Sequence, residues 1–361
     1  MNLAIVDKIA KAVLYEGYML YPYRPSSVKN QQRWNFGVLC PQSYSEAQNR
    51  TEAWTMQTEC LVEGNAHTGI EIRVRFLQLV ARSVGVFTTP VNEFSPDQMP
   101  PYELVPRLEV NGRVYQPWQE AVEREVVLPL CDVESLGHNP VTEKFSFPAQ
   151  SEAEKEYEPL REAGGQLVAV LVRERSPLCG DVEVTAARQT VGLVKITVRI
   201  CNTTPFNAAG TNREDALRQA MVSAHTILGV QGGKFISLLA PPEHASEIAA
   251  NCKNIGTWPV LVGEEGQTDT VLSSPIILYD YPQIAPESAG DLFDGTEIDE
   301  ILSLRIMTLT DEEKREMSQS DERAREMLER TESMPVEQLM KLHGVLRGLR
   351  PVESSSREET P

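Results

Sequence analysis

Residues 193–200 read Leu-Val-Lys-Ile-Thr-Val-Arg-Ile, and this stretch decides the fold class that the sequence predicts. From residue 194 onward, apolar residues at even positions alternate with polar residues at odd positions. Such alternation is typical of a strand with one buried and one solvated face, as in an antiparallel sheet. We therefore expect an antiparallel sheet in this part of the chain.

The same signal recurs on both sides of this stretch. Residues 70–80 (IEIRVRFLQLV) alternate in the same way. Weaker strand signals lie at residues 34–40, 54–62, 167–174, 181–188, 258–262 and 271–279. Asn111-Gly112, at the centre of residues 108–115, favours the positive φ angles of a type I′ hairpin. Much of the chain is therefore expected to be β-structure.

Other segments predict helices. Residues 3–16 place apolar side chains one turn apart, which is typical of an amphipathic helix. Residues 215–228 and 242–251 are further helix predictions, and Thr310 with Glu313 forms a capping box that begins another. Residues 335–346 carry one apolar stripe and predict a last helix. Residues 145–163 are polar and predict a linker with a short helix.

These predictions combine into an α+β fold, with antiparallel β-rich portions, short helices and a helical, acidic C-terminal segment. Three domains are expected. Residues 1–150 form an α+β domain with the N-terminal helix and β-hairpins. Residues 164–284 form a domain of β-sheet plus helices. Residues 285–361 form the acidic helical segment and end in a disordered tail.

Composition narrows the classes of partner. The 361-residue chain carries a net charge of −18, which disfavours nucleic acid and anionic membranes as partners. No apolar run approaches the 18 residues of a membrane span, and charged residues interrupt the apolar N-terminal stretch, so we expect a cytoplasmic protein. The six cysteines form no C-x-x-C pair, so zinc ribbons and dithiol redox sites are poorly supported.

The densest group of candidate site residues lies in residues 273–304, where carboxylates cluster without any Lys or Arg. No cofactor is predicted outright, but a divalent metal held by carboxylates is one hypothesis. Its candidate ligands are Asp280, Asp291, Asp294, Glu297 and Asp299. The spacing does not fit an EF-hand, because the third and fifth positions counted from Asp291 are Phe293 and Gly295.

Two other interpretations of this segment stay open. In the first, residues 273–304 are a docking face for a basic partner, with Tyr281, Glu287 and Phe293 among its contact residues. Alternatively it is a solvated acidic surface whose charges partly cap helix N-termini. The basic residues Arg24, Lys29 and Arg33 lie in an aromatic-rich loop, and we expect them to meet acidic residues of the same or another subunit.

Two further features are candidate sites. His225, His244 and Cys252 would form a soft-metal site if the fold gathered them, although a hydrogen-bonded core histidine is the commoner arrangement for His225. The glycine-rich residues 229–234 resemble a phosphate loop only superficially. Residue 228 is Leu rather than Gly, and Lys234 is followed by Phe235, so we interpret this run as a helix stop and turn.

Several longer phrases carry a resemblance to a known family: AVLYEGYMLYPYRPSSVKNQQRWNFG at residues 12–37, KNIGTWPVLVG at residues 253–263, and LSSPIILYDYPQIAPESAGDLFDGTEIDEILSLRIMTLTDEEK at residues 272–314. Together they resemble a bacterial protein family associated with nickel–iron hydrogenase gene clusters. None of these phrases is a motif of established chemistry, so the resemblance assigns no catalytic residue.

The resemblance implies a non-catalytic accessory protein. Such a protein would assist assembly, maturation or association of the hydrogenase through contacts with hydrogenase subunits or maturation factors. Two alternatives are kept. The first is a metal-dependent enzyme or metal carrier that uses the carboxylates of residues 280–300, and the second is a homo-oligomeric structural assembly protein.

Overall fold

The fold is built around one large antiparallel sheet. The computed structural model describes residues 3–16, 35–95, 98–148, 155–283, 306–320, 322–333 and 335. Strand far outweighs helix among the described residues, and the sheet curls into a half-barrel. The protein is therefore β-rich, and the expectation of a balanced α+β fold is wrong.

Within the described residues, the strands are given first and the helices second, each in chain order. The strands are β1 (Thr55–Val91), β2 (Tyr102–Val105), β3 (Leu108–Val110), β4 (Arg113–Tyr115), β5 (Trp118–Val127), β6 (Cys131–Asp132), β7 (Val141–Phe147), β8 (Glu156–Arg161), β9 (Leu167–Arg175), β10 (Leu178–Thr190), β11 (Leu193–Asn202), β12 (Val222–Ile236), β13 (Trp258–Leu261) and β14 (Thr270–Ser274). The helices are α1 (Leu3–Glu16), α2 (Gln42–Ala47), α3 (Val133–His138), α4 (Arg213–Leu217), α5 (Ser246–Ala250), α6 (Asp311–Ser320) and α7 (Glu322–Ser333), with a 3₁₀ turn at Glu243–Ala245.

The 37-residue strand β1 is the spine of the sheet. Along one edge it pairs in turn with β11, β6, β5 and β2, and along the other with β12 and β9. The main strand order is β13-β14-β12-β1-β11-β10-β7. Because β1 belongs to the first predicted domain and β9 to β14 belong to the second, the two contribute to one sheet.

The alternating patterns of residues 70–80 and 193–200 are confirmed as strands, and they divide the sheet into two faces. Ile72, Val74 and Phe76 lie in the largest apolar cluster, together with Ile196 and Val198. We call the face that carries this cluster the inner face. On the outer face, α1 packs Val6, Ile9, Ala10 and Val13 against residues of β12, β13 and β14. The helix predicted at residues 3–16 is thus confirmed, and so is its apolar stripe.

The helix predicted at residues 215–228 is wrong. Only Arg213–Leu217 is helical, and β12 begins at Val222, so His225 lies in a strand. Every residue from 222 to 230 is buried, and a strand buried on both faces loses the polar alternation that would identify it. The helix stop and turn predicted at residues 229–234 is wrong as well, because β12 continues through these residues to Ile236. Gly232 adopts a φ of +69° at the point where the pairing of β12 with β1 is interrupted.

The predicted polar linker at residues 145–163 is also corrected. β7 extends to Phe147 and β8 begins at Glu156, and residues 149–154 between them lie outside the described residues. The Asn111-Gly112 hairpin is confirmed, with φ angles of +53° and +75°. The capping box is confirmed too, since the Glu313 carboxylate accepts from Thr310 N at 2.7 Å and the Thr310 hydroxyl accepts from Glu313 N at 3.3 Å.

Candidate functional site

Residues 275–281, which follow β14, form a segment that we call the edge segment. It runs beside β13, the last strand of the sheet, and three contacts hold it there. Tyr281 N donates to the carbonyl oxygen of Leu261 at 2.7 Å, and Asp280 Oδ1 accepts from Leu261 N at 2.8 Å. The second oxygen of Asp280 accepts from the hydroxyl of Ser237. The edge segment therefore occupies the backbone groups through which Leu261 could pair with another strand.

The edge segment turns alternate side chains inward and outward. Ile276 and Leu278 pack against the apolar cluster beneath α1. Ile277 and Tyr279 point the other way and are 71% and 84% exposed. Trp258, the first residue of β13, is 44% exposed. Large apolar side chains held outward by an ordered backbone are typical of protein–protein contact sites.

Tyr281 and Asp280 are the predicted site residues that lie in the edge segment. Tyr281 is half-buried against the main core cluster and has a φ of +59°. Both carboxylate oxygens of Asp280 already accept hydrogen bonds from protein donors, so a cation would have to displace one of these donors. The structure therefore assigns Asp280 a role in fixing the edge segment to β13.

His225 lies on β12 directly opposite Arg75 of β1 and is fully buried. Its Nδ1 lies 3.0 Å from the carbonyl oxygen of Ser223, so Nδ1 carries the proton and donates. Nε2 has no hydrogen-bond partner within the described part of the chain. Burial lowers the pKa of His225 to about 4, so the imidazole is neutral at neutral pH.

Ser223 explains how His225 reaches this position. Its φ of +55° falls where the pairing of β12 with β1 shifts register between residues 75 and 77 of β1. The Ser223 hydroxyl donates to the carbonyl oxygen of Val13 in the last turn of α1, at 3.1 Å. The irregularity therefore ties α1 to the sheet directly beside His225.

Cys252 does not join His225 in a metal site. Among the described residues, no group of three His, Cys, Asp or Glu side chains is placed to hold an ion. Cys252 follows α5, and burial, reinforced by Glu59, raises the pKa of its thiol to about 11. A thiol with this pKa stays protonated at neutral pH, which disfavours both nucleophilic attack and metal binding.

The sequence did not single out Glu59, which is the most heavily bonded carboxylate of this region. Lys195 Nζ lies 3.0 Å from each of its two oxygens, the Lys253 backbone N–H donates to it at 2.7 Å, and the Thr197 hydroxyl lies at 3.3 Å. Asn254 Oδ1 accepts from the backbone N–H of Glu59 at 2.7 Å. The residue thus fastens the loop after α5 to β1. Its one sequence signal is an acidic residue between Thr58 and Cys60 within a predicted strand.

A charged cleft of about 320 Å³ lies between α1 and strands β1 and β5. Its lining includes Asp7, Lys11, Arg75 and Glu125. Arg75 bonds Asp7 at 2.8 Å and Glu125 at 2.6 Å. Burial lowers the pKa of Arg75, but these two carboxylates outweigh burial and raise it overall. The central cation of the cleft is therefore already neutralised by the protein itself.

The other predicted site residues lie outside the described residues. They are Arg24, Lys29, Arg33, Glu287, Asp291, Phe293, Asp294, Glu297 and Asp299. Their metal-binding and docking roles stay predictions. None of the described helices is both long enough and apolar enough to cross a membrane. Neither a family model nor a curated protein sequence matches this chain.

Proposed function

We propose that this protein is a non-catalytic, cytoplasmic accessory protein that assists the assembly, maturation or association of a nickel–iron hydrogenase through protein–protein contacts. The observation that carries the proposal is the edge segment, which presents Ile277 and Tyr279 to solvent from a fixed backbone. The resemblance of residues 272–314 to the hydrogenase-associated family supports it, because the edge segment lies within that phrase.

The energetics favour a contact site at this position. Burying an exposed isoleucine or tyrosine side chain contributes on the order of 2 kcal/mol each. Binding also costs free energy when a mobile segment has to be ordered. The bonds from Asp280 and Tyr281 to Leu261 hold the edge segment in the free protein, so this cost is small. A partner therefore gains most of the burial free energy of the two side chains.

The edge segment favours recognition by side chains over recognition by strand addition. Leu261 already uses its N–H and carbonyl group, and Pro259 of the same strand has no N–H to donate. A partner that added a strand here would find few free backbone groups on β13. We therefore expect the partner to offer an apolar pocket to Ile277 and Tyr279.

The direct test uses purified hydrogenase and its maturation factors from the native host. Wild-type protein is immobilised and its affinity for each is measured by biolayer interferometry. We expect the double variant Ile277→Ser/Tyr279→Ser to bind its partner on the order of several hundred-fold more weakly, because two apolar contacts of about 2 kcal/mol each are lost. The matched control is Val191→Ser, which removes a 99% exposed apolar side chain from the turn between β10 and β11.

The outcomes separate the hypotheses. No measurable binding to any hydrogenase component contradicts the proposal. Equal weakening by Val191→Ser places the contact elsewhere than the edge segment. A native host strain that lacks the gene and keeps full hydrogenase activity likewise contradicts the accessory role. Light scattering of the purified protein tests the homo-oligomeric alternative, which requires a mass that is a multiple of one chain.

A further inference from the structure

Beyond the apolar cluster, the inner face carries a row of charged side chains. The pairing registers place them on the same face: Phe76 is opposite Arg124, Val80 is opposite both Glu120 and Arg175, and Arg82 is opposite Arg173. β8 adds Glu156 and Glu158 to this face. On these four strands, the face thus carries four arginines and three glutamates.

Three of the arginines are matched by the three glutamates. Glu120 bonds Arg82 at 2.9 Å and Arg173 at 2.6 Å. Glu158 lies 2.9 Å from Arg173, and Glu156 lies 3.3 Å from Arg175. Arg124 is the fourth arginine, and no carboxylate in the described part of the chain bonds it.

Arg124 is nevertheless held in place by neutral groups. Its Nε donates to Gln78 Oε1 at 2.8 Å, and its Cζ lies 4.5 Å from the centroid of the Phe147 ring. Gln78 is itself fully buried and donates from Nε2 to the carbonyl oxygen of Ser176 at 2.8 Å. The guanidinium is therefore oriented by a stacked ring on one side and a fixed amide at Nε.

The two terminal amino groups of this guanidinium, Nη1 and Nη2, have no acceptor among the described residues. Burial and, after it, the neighbouring Arg175 lower the pKa of Arg124 below its usual range. An arginine stays protonated even so, which leaves a partly desolvated cation without a counter-charge. An anion at this point would relieve an unfavourable electrostatic environment and use donors that are otherwise idle.

We propose that Arg124 is a binding site for the carboxylate of a small organic acid. The planar fork of a fixed guanidinium matches the two oxygens of a carboxylate in a bidentate pair. Phe147 lies against the guanidinium, and the ring centroid of the half-buried Phe145 lies 5.9 Å from that of Phe147, so the two rings would form an apolar wall for the body of the ligand. The neighbouring Arg175 adds positive electrostatic potential at this point, while the guanidinium of Arg124 provides the two donors that would bind the carboxylate.

The test is a titration followed by NMR, with the Arg124 Nε–Hε resonance as the reporter. The probes are benzoate, its neutral isostere benzamide, and inorganic phosphate, all at constant ionic strength. We expect saturable shifts with benzoate and none with benzamide. In Arg124→Gln, the shifts that benzoate causes in neighbouring backbone amides should need at least about tenfold more ligand, since a charge-assisted pair is lost.

Two variants keep the result interpretable. Arg124→Lys retains the cation but not the fork, and should also lose most of the affinity for benzoate. Arg199→Gln is the control on the outer face and should leave benzoate binding unchanged. Arg199 bonds Gln57 Oε1 at 3.1 Å and lies 3.6 Å from Glu183, away from Arg124. Arg124→Gln, Arg124→Lys and Arg199→Gln are all checked for folding by urea unfolding.

Three results would overturn the proposal. The first is the absence of saturable benzoate binding by the wild-type protein. The second is unchanged benzoate binding by a folded Arg124→Gln or Arg124→Lys variant. The third is tighter binding of phosphate than of benzoate, which would assign the site to a tetrahedral anion instead of a carboxylate.

Discussion

Glu59 on β1 and His225 on β12 are both buried ionisable side chains of the same sheet, but they differ in how many hydrogen-bonding partners surround them. Glu59 receives an ammonium group, a hydroxyl and a backbone N–H. His225 receives one carbonyl oxygen and keeps Nε2 without a partner within the described residues. The carboxylate is buried as a charge because its partners are supplied. The imidazole is buried because it can discard its charge.

The comparison teaches that burial of an ionisable group does not by itself indicate a functional site. The sequence named His225 as a candidate metal ligand, with a core histidine as the commoner arrangement, and it did not single out Glu59. In the structure, the bonding of Glu59 joins two parts of the chain, whereas His225 is a neutral core residue beside α1. Four sets of substitutions, at Glu59, His225, Asp280 and the edge segment, test how each group contributes, with expected effects that decrease in that order.

The largest effect is expected for Glu59→Gln. The substitution leaves the partly buried ammonium of Lys195 without its counter-charge and loosens the loop at Lys253. Breaking one side of such a pair costs about 4 kcal/mol of the free energy of unfolding. Urea unfolding at pH 7 measures it. The double variant Glu59→Gln/Lys195→Met should cost less than the sum of the two single variants. Additive losses would show that the pair is not coupled.

The second prediction concerns the pH dependence that His225 imposes. Above the ordinary pKa of 6.5, the imidazole is neutral in both folded and unfolded chains and has no effect. As the pH falls from 6.5 to about 4, the unfolded chain binds a proton that the folded protein excludes, so stability is lost. The total loss is about 3 kcal/mol.

His225→Asn isolates this contribution. Asparagine keeps a donor for the Ser223 carbonyl oxygen but does not titrate. Urea unfolding at pH 7.5 and pH 4.5 should therefore show a smaller acid loss in the variant than in the wild type. Parallel losses in the two proteins would mean that His225 gains a proton without disturbing the fold, contrary to a buried neutral imidazole.

The third prediction concerns Asp280, which resembles Glu59 in having both oxygens occupied. Asp280→Ala removes the acceptor for Leu261 N and for the Ser237 hydroxyl, and should cost about 2 kcal/mol. Asp280→Asn keeps one acceptor and should cost about half as much. Thermal unfolding of the two variants gives the order. If Asp280→Asn matched Asp280→Ala, the negative charge rather than the hydrogen bonds would be what stabilises the edge segment.

The sequence predicted the elements whose two faces differ in polarity. Residues 70–80 and 193–200 carried alternation because one face of each strand lies on the apolar cluster and the other does not. Residues 222–228 were predicted as part of a helix because both faces of β12 are covered there and the polar alternation is lost. The Asn111-Gly112 turn was predictable because local backbone chemistry decides it.

The site residues were harder to predict because their partners are remote in sequence. Glu59 and Lys195 are 136 positions apart, and only the pairing of β1 with β11 brings them together. Asp280 was predicted as a ligand from the carboxylates around it in sequence, but its partners come from Ser237 and Leu261. No spacing rule reports such contacts. Arg124 was not predicted either. Its distinguishing feature is that no carboxylate of the described residues bonds it, and this too depends on which strands lie side by side.

The smallest effect on stability is expected for Ile277→Ser/Tyr279→Ser. Both side chains point away from the cluster beneath α1 that holds Ile276 and Leu278, so their removal should change the free energy of unfolding by less than about 0.5 kcal/mol. The matched variant Leu278→Ser should cost about 2 kcal/mol or more, because it removes an inward side chain of the same segment. Urea unfolding of both variants separates the two faces. A loss of stability in the outward pair comparable to that of Leu278→Ser would mean that these side chains help to fold the protein, and would remove the reason to regard them as a docking surface.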